Sequence, residues 1–294
     1  MRHDLQHPAS ALTSRRDFIR EAAVGLGGAL TLPAILAGSS SALKGAEVHL
    51  EAIGVQLYTV RDEMKKNVDA TLARVAQIGY REVEFAGYFD KTPSQIVALL
   101  KSTGLRAPSS HISLNDIRSR WPQVLDIAAE IGHGYLVCAY IEEKDRTLDS
   151  YNRIVEDFNR AGEQAKAHKI TFAYHNHDFE FKSLGDTLPY DLLLSKCDAK
   201  LVKMELDLYW INKAGHDPLV YFAKYPGRFP LVHLKDMKAD GAMASVGEGR
   251  IPFATYFAQA KKAGIKHYFV EHDNPGDAFA SIERSFRYLK ALKF

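Results

Sequence analysis

From Ala52 onward, short runs rich in β-branched and aromatic residues alternate with amphipathic helical stretches, and this alternation leaves few folds open. The strand-like runs are AIGVQLYTV (52–60), REVEFAG ending near Phe85, LRAPSSHIS, YLVCAYI, ITFAYHNHDFEF, KLVKMELDLYWI, PLVHLKDM and HYFVEHD. Between them, VDATLARVAQIG sets Leu72, Val75, Ala76 and Gly79 at helical spacing. SQIVALLKSTG ends on Gly104, a residue suited to a helix C-terminus. Further helices are predicted over WPQVLDIAAEIG, Leu148 to His168, Leu219 to Tyr225, Phe253 to Gly264 and Ala278 to Leu292. Strict alternation implies a parallel sheet. Eight units match a barrel, whose usual length is about 250 residues. A doubly wound open sheet would more often carry a Gly-rich phosphate loop after an early strand; here the first strand runs into YTVRDEM. The expected fold is α/β, a single (β/α)8 TIM barrel.

The N-terminus differs in kind. SRRDFIR (14–20) precedes a weakly apolar, Gly-rich stretch that Pro33 breaks and that ends in small residues. A charged region, an apolar region and small residues form an export signal. The pair Arg15-Arg16, followed by Phe18, Ile19 and Arg20, is similar to the twin-arginine type. Residues 1–42 are therefore expected to be a signal, cleaved after Ala42, and residues 43–294 the barrel. The expected location is periplasmic or secreted, with the twin-arginine export machinery as a partner. The apolar run is too short and broken for a spanning helix.

Of the 294 residues 46% are hydrophobic, ample for a large core, and the formal net charge of +2 gives no electrostatic case for a nucleic-acid binder. The two cysteines, Cys138 and Cys197, form no metal signature, and Cys138 in YLVCAYI reads as a buried small hydrophobe.

Barrel active sites lie at the C-terminal ends of the strands. There this chain is heavily polar: Glu84, His111, His175-Asn176-His177, Glu205 and Asp207, His233, Lys235 and Asp236, then Glu271, His272 and Asp273. Strand side chains alternate between faces, so His175 pairs in direction with His177, Glu205 with Asp207, and His233 with Lys235. Carboxylates and imidazoles converging from neighbouring strands suit a divalent metal such as Mn, Zn, Co or Mg. Each has a plainer reading. A lone strand-end histidine is usually a hydrogen-bonded structural residue. Asp273 to Gly276 reads as a turn, Asp236 as a loop-orienting residue, and Tyr209 and Trp210 as packing or an apolar wall for a ligand.

The ordered set IGVQLYTVRD, YHNHDFEF, ELDLYW, VHLKDM, VGEGRIPF and FVEHD resembles the sugar phosphate isomerases/epimerases with a xylose isomerase-like barrel. The resemblance spans essentially residues 43–294. It implies a metal held by an acidic residue of the fifth strand, Asp207, His233 and Glu271. Members often read Glu-Asn-His at the fifth strand end; aligning Asn176 and His177 with that motif puts His175 where Glu would stand, so His175 is the expected fourth ligand, with His177 and Glu205 as alternatives. The family chemistry is proton abstraction beside a carbonyl, with the metal stabilising enediolate oxygens. Glu84, His177, Lys235 and Glu271 are the expected catalytic groups, with Glu271 or Glu84 as base and Lys235 polarising an oxygen. His111, Glu205, Trp210 and Arg250 are expected to contact a sugar substrate. Arg250 is the one obvious basic partner in VGEGRIPF, which favours an unphosphorylated sugar.

Three functions follow from the resemblance. The first is isomerisation or epimerisation of a sugar. The second is elimination from a 3-keto-glycoside in the periplasm, with His177 as base. The third, from another class, is a sugar-binding barrel whose site has decayed. The related endonucleases of this barrel carry Asp and His four and six residues before the GEG loop; here Met243 and Gly241 stand there, and Trp210 occupies the histidine position of their Asp-x-x-His. No nucleic-acid partner is expected.

Overall fold

In the computed structural model, which describes residues 48–294, eight parallel strands close into a barrel. They are β1 (Gly54–Gln56), β2 (Glu82–Phe85), β3 (Arg106–Ile112), β4 (Tyr135–Cys138), β5 (Thr171–His175), β6 (Val202–Asp207), β7 (Leu231–Leu234) and β10 (His267–Val270). β8 (Asp236–Met237) and β9 (Met243–Ala244) form a small antiparallel hairpin beside the mouth. The staves run β1-β2-β3-β4-β5-β6-β7-β10, and β10 returns to β1. The twin-arginine segment and its cleavage site at residue 42 lie outside the described residues.

Local chemistry sets the helices. Asn67 caps Val68–Ile78 by accepting from the Ala70 N–H. Thr92 and Gln95 form a capping box ahead of Pro93–Thr103, which ends on the expected Gly104. Leu148–Ala167 buries Tyr151, Ile154, Val155, Phe158, Ala161 and Ala165 on one face, the 3.6-residue stripe of a sheet-covering helix. Among the described residues, no helix is long and apolar enough to cross a membrane.

The strand runs are shorter than the sequence suggests. β1 stops at Gln56 because its side chain accepts from the Tyr58 N–H and starts a 3-10 turn, Leu57–Val60. The sixth run stops at Asp207, whose Oδ1 accepts from the Trp210 N–H at 2.8 Å and caps the helix Leu208–Lys213. Phe253 to Gly264 is two short helices, Phe253–Phe257 and Ala260–Ala263.

The main core lies between sheet and helices. A second, small apolar cluster of Val137, Ala173, Leu231 and Phe269 fills the barrel interior. Gly54 makes room for it: a Cβ there would sit 2.5 Å from the Phe269 ring. With the interior plugged by side chains, the polar strand ends face an open mouth rather than a channel.

Candidate active site

The inward-facing polar residues build two layers. The lower layer centres on Glu205 of β6, which is fully buried. One oxygen, Oε2, meets three imidazoles: His111 Nε2 at 2.8 Å, His175 Nδ1 at 3.1 Å and His233 Nε2 at 3.1 Å. Glu84 of β2 joins them. Its Oε2 lies 2.7 Å from His233 Nε2 and accepts from Gln56 Nε2, while Ser109 Oγ donates to its Oε1. Burial alone would raise the Glu205 carboxyl, but the His233 and His111 charges pull it down to about 2. Burial would lower His111, but Glu84 and Glu205 hold it up at about 9. This layer is a set of paired charges.

The upper layer holds His175, Asp207, His233 and Glu271, each with one ligand-type atom within 4.8 Å of the others. Two carboxylates and two imidazoles are a donor set for Zn, Mn or Co. Burial, together with the charges of His233 and Lys235, keeps His175 neutral, far below the usual histidine range. Its Nδ1–H donates to Glu205, which leaves the Nε2 lone pair turned to Asp207 Oδ2, 3.7 Å away. Asp207 Oδ2 is buried and accepts no well-formed hydrogen bond. Burial raises the Asp207 carboxyl to about 6 against the pull of Lys235 and His233. A carboxylate oxygen that makes an ion pair with Lys235 but no well-formed hydrogen bond, beside a free imidazole lone pair, is what a cation would complete, so the residues fit a divalent metal.

Lys235 stands among the same groups. Its buried ammonium lies 3.1 Å from Asp207 Oδ2, 2.8 Å from Glu271 Oε2 and 2.8 Å from Asp273 Oδ1. Burial opposes its charge, but Asp207, Glu271 and Asp273 raise it well above the ordinary lysine value, so it stays cationic. Lys235 therefore competes with any metal for two of the four ligands. Asp273, read from the sequence as a turn residue, lines the cleft and pairs with this lysine. Only the spacing from Glu271, two residues along the same run, could have signalled it.

His177 lies past the end of β5 and lines the cleft. Its ring stacks on Phe179 and meets His175 and Tyr140 edge-on, at centroid distances of 5.4, 4.9 and 5.0 Å. The ring makes no hydrogen bond among the described residues, and its Nδ1 is buried and unpaired. Burial and then the Lys235 charge depress it well below the ordinary value, so it is a neutral imidazole. The rest of the AYHNHDFEF segment holds this geometry. The Asp207 N–H donates to Asn176 Oδ1 at 3.0 Å, and the His177 N–H donates to Glu180 Oε2 at 2.8 Å. Tyr174 Oη donates to Glu180 Oε1.

Four expected contacts are placed differently. Glu84 and Glu205 are fully buried beneath the imidazoles and lie outside the cleft wall. Trp210 stands behind His177, ring centroids 5.5 Å apart, and under the Lys235 ammonium. Arg250 is exposed and outside the cleft wall. Its loop wraps Asp236, which accepts from the N–H groups of Gly247, Gly249 and Ile251; their inward turn leaves the Arg250 side chain outward. His111, His175, His177, Lys235 and Glu271 do line the cleft; Asp207 and His233 lie just under it.

Comparison with known proteins agrees with the barrel fold. The family model of the xylose isomerase-like TIM barrel matches residues 72–292. An inosose dehydratase of Lacticaseibacillus casei is 24% identical over 191 residues, 57% of this chain; the match covers 62% of that relative's length. An inosose dehydratase of Geobacillus kaustophilus (strain HTA426) is 24% identical over 65% of this chain and 75% of its own. The crystal structure of a sugar phosphate isomerase/epimerase from Parabacteroides distasonis ATCC 8503 superposes with a TM-score of 0.72 at 29% identity, covering 88% of this chain and 98% of that one.

Proposed function

The chain belongs to the xylose isomerase-like TIM barrel family, and from that premise we propose that it is a metal-dependent enzyme that enolises an unphosphorylated keto-sugar or cyclitol ketone and eliminates a β-oxygen substituent. The observation that carries this is the neutral, unpaired His177 imidazole on the cleft wall, beside a buried ammonium and a four-ligand metal-type cluster.

His175, Asp207, His233 and Glu271 would hold the metal, which when bound supplies Lewis acidity toward the substrate's carbonyl and neighbouring hydroxyl oxygens. His177 takes the proton from the carbon next to the carbonyl, and the C–H electron pair moves into the enolate. The Lys235 ammonium offsets the negative charge that develops there. The enolate then expels the oxygen substituent on the β-carbon. The imidazolium of His177 returns its proton to that oxygen, so one C–H and one C–O bond break, one C=C forms, and water or an alcohol leaves. Glu205 and Glu84 act from below, keeping the imidazoles of His175 and His233 in place.

The names of the curated relatives favour elimination. The name of the solved relative favours isomerisation or epimerisation, which shares the first step and returns the proton to carbon. Incubation of metal-loaded protein with a panel of ketoses and cyclitol ketones in D2O separates them. Elimination gives a product lighter by the lost substituent; isomerisation conserves mass apart from deuterium. Absence of any metal-dependent C–H exchange would leave only a sugar-binding barrel. Residues 1–42 are proposed as the export signal; cell fractionation with and without Arg15→Lys and Arg16→Lys tests that.

A further inference from the structure

The metal-type ligands come from the consecutive staves β5, β6, β7 and β10, one half of the barrel mouth. The cleft does not stop there. Its volume of about 1020 Å³ reaches over the opposite half, across the segments that follow β2, β3 and β4. That lies at the top of the range of about 300–1,000 Å³ usual for pockets that enclose a drug-sized ligand. One ring seated on the ligand cluster would leave the far half open.

The far half is built for a hydroxyl-rich ring. Tyr140, after β4, is 41% exposed and yet fixed: Arg146 Nη2 donates to its Oη, and its ring meets His177 and Phe179 edge-on. It stands between the inner site, through His177, and the outer floor. Asn115 and Lys144 line the same region, and among the described residues no side-chain partner holds either of them. Tyr58, 43% exposed, faces the cleft from the β1 side, its ring packed by the Arg61 guanidinium at 4.1 Å. Rigid aromatic faces with free amide and ammonium donors between them suit the C–H faces and hydroxyls of a sugar.

We propose that this outer half is a second subsite, which binds a second sugar ring joined through a glycosidic oxygen to the ring on the ligand cluster. It rests on the reading that the inner site takes a sugar. The substrate is then a two-ring glycoside, and Tyr140 and Asn115 set the preference for it.

The test uses the metal-loaded 294-residue protein and calorimetric binding of glucose, maltose, cellobiose, sophorose and phenyl β-glucoside. At least one disaccharide is expected to bind about tenfold more tightly than glucose. Asn115→Ala should reduce that gain and leave glucose affinity and metal content unchanged; Tyr140→Ala should abolish it. Disaccharides that bind no better than glucose overturn the subsite, as does a gain that survives both substitutions. A gain for phenyl β-glucoside alone overturns the second-sugar assignment. Solvent exchange in D2O is scored separately. Exchange on one-ring ketones without a disaccharide gain rejects the subsite and keeps the chemistry; a gain without exchange does the reverse.

Discussion

Glu205→Gln tests the layered site most directly. The substitution keeps shape and removes one charge. Glu205 Oε2 now meets three imidazole nitrogens within 3.1 Å. A glutamine amide can satisfy one of them with its oxygen and turns an N–H pair toward the rest. The folded carboxyl sits at about 2 against an ordinary 4.5, so it stabilises the fold above pH 4.5, and that contribution fades as pH falls through 2. The difference corresponds to about 3 kcal/mol at neutral pH, the order expected when one member of a buried charge network is removed. His111 carries part of the same energy from the other side, present below pH 6.5 and lost as pH rises through about 9, so the two are not added. Urea unfolding of metal-free protein at pH 7 should show the loss at unchanged slope. Metal affinity should fall roughly 10–100-fold, because His175 loses the acceptor that fixes its Nδ1–H. By ring-proton NMR, the metal-free His111 titration should drop by about 1–2 pH units, with Glu84 still beside it. An unchanged urea midpoint together with unchanged metal affinity would refute the two-layer organisation.

Lys235→Met should bind metal about tenfold more tightly, since the ammonium no longer shares Asp207 and Glu271, and should lose enolisation by about 10²-fold or more; weaker metal binding in this variant would contradict the competition. Metal binding at pH 7 should release protons, because His233, which burial opposes but Glu205 and Glu271 hold protonated, must give up its Nδ1 proton to act as a ligand; calorimetry in buffers of different ionisation enthalpy measures the count, and zero release would exclude His233. Burial raises Glu180 from 4.5 to about 7, so its contribution to stability is complete below pH 4.5 and is lost as pH rises through 7, about 3 kcal/mol in all; Glu180→Gln should flatten that part of the stability–pH curve. Gly249→Ala would set a Cβ 2.2 Å from Asp236 Oδ1 and is expected to cost about 3 kcal/mol or more by urea unfolding, as the hydrogen bonds that converge on that carboxylate are forced apart.

Face and depth are encoded differently along a strand, and only the first was legible. Glu205 and Asp207 share a parity, and both do point into the barrel. Two residues of strand are about 6.6 Å of rise, so they belong to different layers. Which layer meets the cleft depends on the stagger of neighbouring staves, which no single run records. The register sets His175 beside Glu205 and His233 beside Asp207, and the His175 ring joins the two levels, with Nδ1 on Glu205 and Nε2 toward Asp207. Glu84 sinks for the same reason: it pairs in register with Gln56 and Ser109, both buried, and all three hydrogen-bond there. Parity fails altogether where a strand ends. His177 follows β5 by two residues, and its position comes from a backbone N–H given to Glu180 rather than from the pleat. Arg250 sits in a loop whose backbone, not its side chains, answers Asp236. The ligand set could be read because His175, Asp207 and His233 lie in the last two residues of adjacent staves, where alternation still holds, and Glu271 directly follows the next one. Residues one pleat lower carry the same letters and do different work: they hold the imidazoles that a metal would bind.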